Sequence, residues 1–282
     1  MNAKGALLPR SVDLSASIVV FHPDETQLRQ TLTSYGAACE RLRASVPEST
    51  FVLFLVDNGG LRDVHDAIDR LGEQGVVCQL LTGHGNVGYG RGHNLAIERA
   101  QTDFHLILNP DIDLEDEALV AACAFFHGHA EAGLLAPWIG DDTGDQQYLC
   151  RRYPTLIDLI ARGFLPALLR DSMFATHLAR YEMRDVIDGS SIVWDPPIIS
   201  GCFMLFRTSV LKRLGGFDPR YFLYFEDYDL SLRSHALARV AYVPASRVVH
   251  HGGGAARKGF VHIRMFAVSA FRFFNRFGWR WW

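Results

Sequence analysis

Four short apolar runs in the first half of the chain, at 17–21, 51–56, 76–81 and 104–108, restrict its fold more than any other feature. Each is nearly continuous in hydrophobic residues rather than alternating, the pattern of strands covered on both faces. Segments with helical spacing separate them, at 28–42, 64–71 and 93–100. Strand and helix in alternation predict an α/β fold with a mostly parallel, doubly wound sheet flanked by helices. Ligands of such sheets gather beyond the carboxyl ends of the strands. Three polar clusters stand there: His22-Pro23-Asp24, Asp57-Asn58-Gly59-Gly60 and Asn109-Pro110-Asp111-Ile112-Asp113.

Residues 83–88 have the letters of a dinucleotide fingerprint, GxGxxG. They follow the third strand, however, and the first leads into His22-Pro23-Asp24 with no glycine turn, which argues against a dinucleotide site. The wider stretch 85–94 reads better as a glycine loop in which Gly88 lets backbone approach a ligand closely. Arg91 is then available for a phosphate, and a helix starts near Asn94. A plain loop ending in a helix cap is the other reading.

Asp57, at the tip of the second run, suits the imide N–H of a uracil or thymine ring, with Val20 and Phe21 as an apolar wall; an Asx turn with Asn58 and Gly59 competes with that role. The carboxylates of 109–113 can hold a divalent cation. Two registers are open, Asp111-x-Asp113 or Asn109-x-Asp111, and Asp111 is common to both; Asn-Pro-Asp is also an ordinary turn former. Further on, Tyr224-Phe225-Glu226-Asp227-Tyr228-Asp229 packs three carboxylates into four residues. Such charges repel unless something cationic or protic sits between them, so the segment reads as an active-site edge. An acidic helix start stabilised by the helix dipole is the alternative. His250 and His251 end another apolar run, against Gly252-Gly253-Gly254, where a histidine can complete a cation site or meet a phosphate.

At 282 residues, with no Pro/Ser/Gly linker or low-complexity tract, one domain with a tail is expected. The net charge of -3 gives no nucleic-acid signature. Its distribution is uneven: no Asp or Glu follows Asp229, while nine Arg and Lys residues do. Five scattered cysteines without a CxxC pair suggest neither a disulfide framework nor a zinc site, and a reducing cytoplasm fits best. The N-terminus lacks a signal-peptide core, and no apolar run approaches the roughly 20 residues that span a bilayer. In the tail, Ile263, Phe266, Ala267, Ala270, Phe273, Phe274 and Phe277 recur at helical spacing, with Arg264, Arg272, Arg276 and Arg280 on another stripe. With Trp279, Trp281 and Trp282 this suits an anionic membrane surface. Packing on the rest of the protein, or a homodimer contact, is the other use of the stripe.

The stretches SIVVFHP, LVDNGG, GNVGYGRGHN, LILNPDID, ISGCFMLF, GGFDPRYFLYFEDYDLSLR and VVHHGGG occur in the order seen in family 2 glycosyltransferases of the GT-A fold, and over residues 16–255 the chain resembles that family. The resemblance implies an N-terminal extension at 1–15 and a catalytic domain at 16–255, with a nucleotide-sugar half to about 115 and an acceptor half after it. A basic amphipathic tail follows at 256–282. It makes Asp227 the general base and Asp111 the metal ligand, with Asp113 a weaker candidate and His250, or its neighbour His251, closing the site. Phe21, Asp57, Asn58, Gly88, Arg91, Asn94 and Asn109 fall to the donor; Glu226, Asp229 and Gly201 hold the acceptor or orient the base, with pairing to Arg233 the other use of Asp229. A dTDP- or UDP-sugar donor and Mg²⁺ or Mn²⁺ are expected. Segments 151–156 and 181–185 resemble bacterial rhamnosyltransferases of O-antigen and other cell-surface polysaccharides. The expectation is therefore non-processive inverting transfer of a sugar, rhamnose favoured, to a saccharide or lipid-linked glycan at the inner face of the membrane. A sugar-1-phosphate nucleotidyltransferase would need a Gly-rich, Arg-containing loop after the first strand, and a non-catalytic relative need not keep acids at the metal and base positions.

Overall fold

The computed structural model describes residues 8–166, 170, 172–252 and 259–282. Gly253, Gly254, Arg257 and Lys258 lie outside the described residues. The first half runs β1 (Asp13–Val20), α1 (Glu25–Ser45), β2 (Thr50–Asp57), α2 (His65–Glu73), β3 (Val76–Leu81), α3 (Tyr89–Arg99) and β4 (Phe104–Leu108). Then come β5 (Ile112–Leu114), α4 (Ala118–Gly128), β6 (Ala132–Gly140), β7 (Cys150–Arg151), α5 (Leu156–Phe164) and α6 (Ala175–Tyr181). The last part holds β8 (Val193–Trp194), β9 (Ile198–Ile199), β10 (Phe203–Arg207), α7 (Thr208–Arg213), α8 (Glu226–Ser234), β11 (Arg239–His250) and α9 (Gly259–Phe277).

One sheet carries the order β3-β2-β1-β4-β10-β6-β11-β5, with β8 added on β11. It is parallel from β3 to β4. Beyond β4 it is mixed: β10 runs antiparallel to β4 and β6, β11 is parallel to β6, and β5 and β8 run antiparallel to β11. A short apolar run marks a buried strand but carries no direction, so the antiparallel entry of β10 is not readable from its residues.

Leu14, Ala16, Ile18 and Val20 bury one face of β1, while Ser15 and Ser17 are buried on the other. The serines are satisfied by histidines. Ser15 Oγ lies 2.8 Å from His105 Nδ1, and Ser17 Oγ lies 2.9 Å from His105 Nε2 and 2.7 Å from His93 Nδ1. Burial pushes His105 down to about 3, so this is a neutral polar seam in the core. Val12 and Leu14 are fully buried and β1 starts at Asp13, so the sheet takes in the end of the segment assigned to an extension.

The helix expected near Asn94 starts five residues earlier, at Tyr89. Gly90 and Gly92 are poor helix formers in isolation, yet a Cβ on either would sit 2.8 Å from Phe217 or Val19. Close packing therefore overrides propensity.

The apolar stripe of the tail is used inside the protein. Phe273 and Phe274 are fully buried, and Phe273 packs against Phe225, Tyr228 and Tyr153. At the far end Leu156 N–H donates to the Arg280 carbonyl at 2.9 Å. Arg276 completes the attachment with ion pairs to Asp229 (2.6 Å) and Asp218 (2.7 Å). Asp229 is fully buried between Arg276 and Arg233 (2.5 Å), so of its expected uses the pairing with Arg233 is the one formed, and it also anchors α9. Arg276→Gln should cost about 1.5 kcal/mol, the scale of a charge-assisted hydrogen bond at a partly exposed site. Urea unfolding reads it, and an unchanged midpoint would mean that the aromatic contacts alone hold α9.

Candidate active site

The end of β4 and the end of β11 meet because β5, just past the turn, pairs with β11: His250 stands opposite Ile112. The His251 N–H also donates to the Asp111 carbonyl at 3.0 Å. His250 Nε2 is thereby set 3.6 Å from Asp111 Oδ1, while its Nδ1 lies 3.0 Å from Gln147 Oε1. Asp111 Oδ1 is buried and has no hydrogen-bond partner. Burial, only partly opposed by Asp111, lowers the His250 pKa and keeps its imidazole neutral, the form that ligates metals. A Cβ on Gly252 would lie 2.2 Å from Asp111 Oδ2, so the backbone passes against the carboxylate.

Successive residues at a strand end face opposite ways, and this divides the histidine doublet. His251 Nε2 lies 2.9 Å from Asp113 Oδ2, and its Nδ1 meets Asp142. His250 thus belongs with Asp111 and His251 with Asp113. The expected trio of Asp111, Asp113 and His250 is not formed, and among the described residues no three His, Cys, Asp or Glu side chains are placed to hold a metal. Asp111 and His250 alone fit a cation, as an orphaned carboxylate oxygen facing a neutral imidazole; its remaining ligands would come from a bound diphosphate.

The acid cluster opens α8. Tyr224 (φ 69°) and Phe225 (φ 65°) both adopt the left-handed conformation just before it, about 1–3 kcal/mol of strain each. The C-terminal helix holds this turn: Ser269 Oγ donates to the Leu223 carbonyl (2.8 Å) and the Tyr224 hydroxyl lies 2.9 Å from His262 Nδ1. Asp227 Oδ2 accepts the Gly201 N–H at 3.0 Å and Oδ1 accepts the Tyr228 N–H at 2.9 Å. A Cβ on Gly201 would come within 3.2 Å of Asp227 Cβ, so the close approach favours glycine.

Glu226 is 5% exposed and its Oε2 has no hydrogen-bond partner. Burial, then the charge of Asp227, pushes it up to about 8. Burial also raises Asp227, but the Gly201 N–H and the buried Arg151 guanidinium favour its anion. Of the pair, Glu226 is the one that burial holds protonated, and Asp227 the one whose anion the surrounding donors favour. Since the folded pKa of Glu226 exceeds its ordinary 4.5, its contribution to stability is full below 4.5 and lost as pH rises through about 8. Glu226→Gln has no proton to lose. It should flatten the pH dependence across that window and gain on the wild type by roughly 2–4 kcal/mol on the alkaline side. Parallel urea-midpoint curves for the two proteins would show that Glu226 ionises normally.

Two residues of the site carry no signal as site residues in the sequence. The Tyr89 hydroxyl donates to the Gly201 carbonyl (2.7 Å) and lies 3.0 Å from Asn109 Oδ1, tying the end of β4 to the backbone beneath Asp227. Arg151 Nη1 donates to the Tyr228 hydroxyl at 2.7 Å, on the residue next to Asp227. An aromatic in a glycine loop and an arginine ahead of a Tyr-Pro pair look like core and surface.

On the donor side several expectations change. Asp57 Oδ1 accepts the Gly59 and Leu61 N–H groups at 2.7 and 3.4 Å, so the Asx turn is present; Phe21 is 54% exposed with its ring against Gly59. Asn58 is buried, holding the Gly88 carbonyl (3.1 Å) and His84 (3.0 Å). Asn94 spends its amide on the Phe217 carbonyl and N–H at 2.8 and 2.9 Å, and Arg91 Nε donates to the Pro219 carbonyl at 2.6 Å. At Gly88 (φ 91°) the close approach is to the Phe222 carbonyl, 2.4 Å from a would-be Cβ. Asn58, Gly88 and Asn94 thus build the loop, and Arg91, exposed, is tied to it through Nε.

A mixed α/β sheet with acids, a histidine and an Asx turn at its strand ends is the architecture of the GT-A nucleotide-sugar transferases. The chain matches the family described as Glycosyltransferase like family 2 over residues 14–267, and it belongs to that family. Among curated proteins it is similar to the rhamnosyltransferase WbbL of Escherichia coli, 26% identical over 274 residues and covering 92% of each chain. It is also similar to the N-acetylglucosaminyl-diphospho-decaprenol L-rhamnosyltransferase of Mycobacterium tuberculosis, 28% identical over 85% of this chain and 76% of that one. Among solved structures, the mannosyltransferase PcManGT from Pyrobaculum calidifontis, in complex with GDP-Man and Mn²⁺, superposes with a TM-score of 0.58 at 14% identity, over 93% of this chain and 64% of that one. GalNAc-T7 with UDP, GalNAc and Mn²⁺ gives 0.58 at 15% identity over 90% of this chain, which spans about half (47%) of its length.

Proposed function

We propose that the chain is a non-processive, inverting glycosyltransferase that moves rhamnose from a dTDP- or UDP-sugar to a saccharide or lipid-linked glycan of the cell surface. The observation that carries the reading is the Asp227 carboxylate, fixed by the Gly201 N–H, charged beside a protonated Glu226, and joined through Tyr89 to the strand end that leads to Asp111. The donor base stacks on exposed Phe21 beside Asp57. The acceptor hydroxyl gives its proton to Asp227 as its oxygen attacks the anomeric carbon; the carbon–oxygen bond to the diphosphate breaks and its electron pair leaves with the diphosphate. Asp111 and His250 would hold a divalent cation, Mg²⁺ or Mn²⁺, which when bound neutralises charge on that diphosphate. The choice of rhamnose rests on the names of the curated relatives, and the mycobacterial one supports an acceptor carrying a lipid diphosphate. The test is a transfer assay over dTDP- and UDP-sugars with Mg²⁺ or Mn²⁺, the anomeric configuration of the product being read by NMR. Rhamnosyl transfer with inversion is expected; retention, or no transfer from any donor, overturns the proposal.

A further inference from the structure

The C-terminal helix has a second face that the described residues leave largely exposed, apart from the Trp279 ring against Phe271 (5.8 Å) and the Arg220 carbonyl that Arg272 bonds. Its buried arc comprises Phe266, Ser269, Phe273 and Phe274. Phe260, Arg264, Val268, Phe271 and Arg272 share the opposite arc at helical spacing and are all exposed, Phe260 by 80% and Phe271 by 58%. This arc differs from the stripe of Phe266, Ala270, Phe273, Phe274 and Phe277, which is spent on packing, while Ile263 and Ala267 of that stripe stay exposed. Beyond the helix Trp281 and Trp282 are 70% and 76% exposed. A cleft of about 730 Å³ opens between this face and the Arg220–Tyr221 turn, and Arg220, Arg272 and Arg276 line it together with Val268 and Phe271.

We infer that this face docks on an anionic lipid surface, an inference that rests on the reading of a lipid-linked acceptor. Apolar side chains interleaved with arginines and flanked by tryptophans match the boundary of headgroups and acyl chains. Charge decides against a second copy of the chain. A two-fold dimer would set the face against itself; the helix face carries Arg264 and Arg272 and no acid, and Asp218 at its edge is already paired with Arg220 and Arg276, so like charge would meet like. That pairing already occupies Arg220 and Arg276 in the cleft, whereas Arg264 and Arg272 have no carboxylate partner among the described residues, and lipid phosphates supply the anion. No helix among the described residues is long and apolar enough to cross a membrane. The buried arc of the same helix holds Leu223 and Tyr224, so docking would set the Asp227 edge at the plane where a lipid-linked acceptor is presented.

The test is co-sedimentation of the full chain with phosphatidylglycerol-containing vesicles at low salt, with pure phosphatidylcholine vesicles as control and with neither donor nor acceptor present. Binding to the anionic vesicles alone is expected. Arg264→Gln with Arg272→Gln should weaken it by about fivefold for each arginine replaced, and Phe260→Ser with Phe271→Ser should abolish it, far-UV circular dichroism and donor affinity remaining unchanged. A wild-type chain that stays in the supernatant, or variants that sediment equally, would overturn the inference. So would a dimer in light scattering that the phenylalanine pair disperses, since the face would then serve a second copy. Vesicle binding without sugar transfer would instead sink the functional reading and leave the docking surface standing.

Discussion

Asp227→Asn should lower sugar transfer by roughly two to four decades, the usual worth of a positioned general base, while folding and donor affinity are retained. Asparagine has the same shape and keeps a carbonyl oxygen to accept the Gly201 N–H, which now bonds Asp227 Oδ2 at 3.0 Å, so the backbone beneath the site has no reason to move. What the substitution removes is the one acid of the cluster that is both charged and accessible. Asp229 is locked between two arginines, and Glu226 is buried and protonated. The variant also removes a negative charge that helps hold the Glu226 pKa near 8, so Glu226 should ionise at lower pH in it. A residual rate that climbs as Glu226 deprotonates would identify that residue as a poor substitute base. Near-normal turnover at neutral pH would move the role of base away from Asp227.

The strand ends were the legible part of this protein. The bounds of β3 and β4 both follow from their apolar runs, but only β4 is covered on both faces as such a run implies; β3 is the edge strand and leaves Val77 and Leu80 exposed. β1 extends four residues further back than its run, since Asp13, Leu14, Ser15 and Ala16 alternate and a serine gives no hint that a buried histidine will satisfy it. β11 reads as two runs but is one strand of 12 residues with an irregularity between Val243 and Arg247, around Pro244. In the site, acids at strand ends were readable because topology alone carries them there. Asn58 and Asn94 were not, since an amide serves a loop backbone as readily as a nucleotide and only the fold shows which has taken it. The assignment of His250 and His251 needed the register of β11 on β5, which no local pattern encodes.

Asp111→Ala should abolish cation-dependent donor binding, and Asp113→Ala should leave it in place. Both acids follow the same strand and one residue separates them, so the sequence cannot rank them beyond the two registers of the motif. Their surroundings can. Each has one buried carboxylate oxygen without a hydrogen bond, but Asp113 already holds an imidazole at 2.9 Å through its other oxygen, whereas the imidazole nearest Asp111, that of His250, stands off at 3.6 Å. A buried carboxylate oxygen left in that state is costly until a cation reaches it. Binding therefore offsets a penalty built into the wild-type fold, and removing the carboxylate removes the penalty together with the ligand. Thermal denaturation separates the two acids without any turnover. With Mn²⁺ and nucleoside diphosphate at about a hundred times their dissociation constant, the wild type and Asp113→Ala should each gain about 2.7 kcal/mol. Asp111→Ala should gain nothing and be no less stable than the wild type when no cation is present. If instead donor affinity is indifferent both to chelator and to Asp111→Ala, the cation is no part of donor binding, and the unpaired oxygen of Asp111 must meet the donor in some other way.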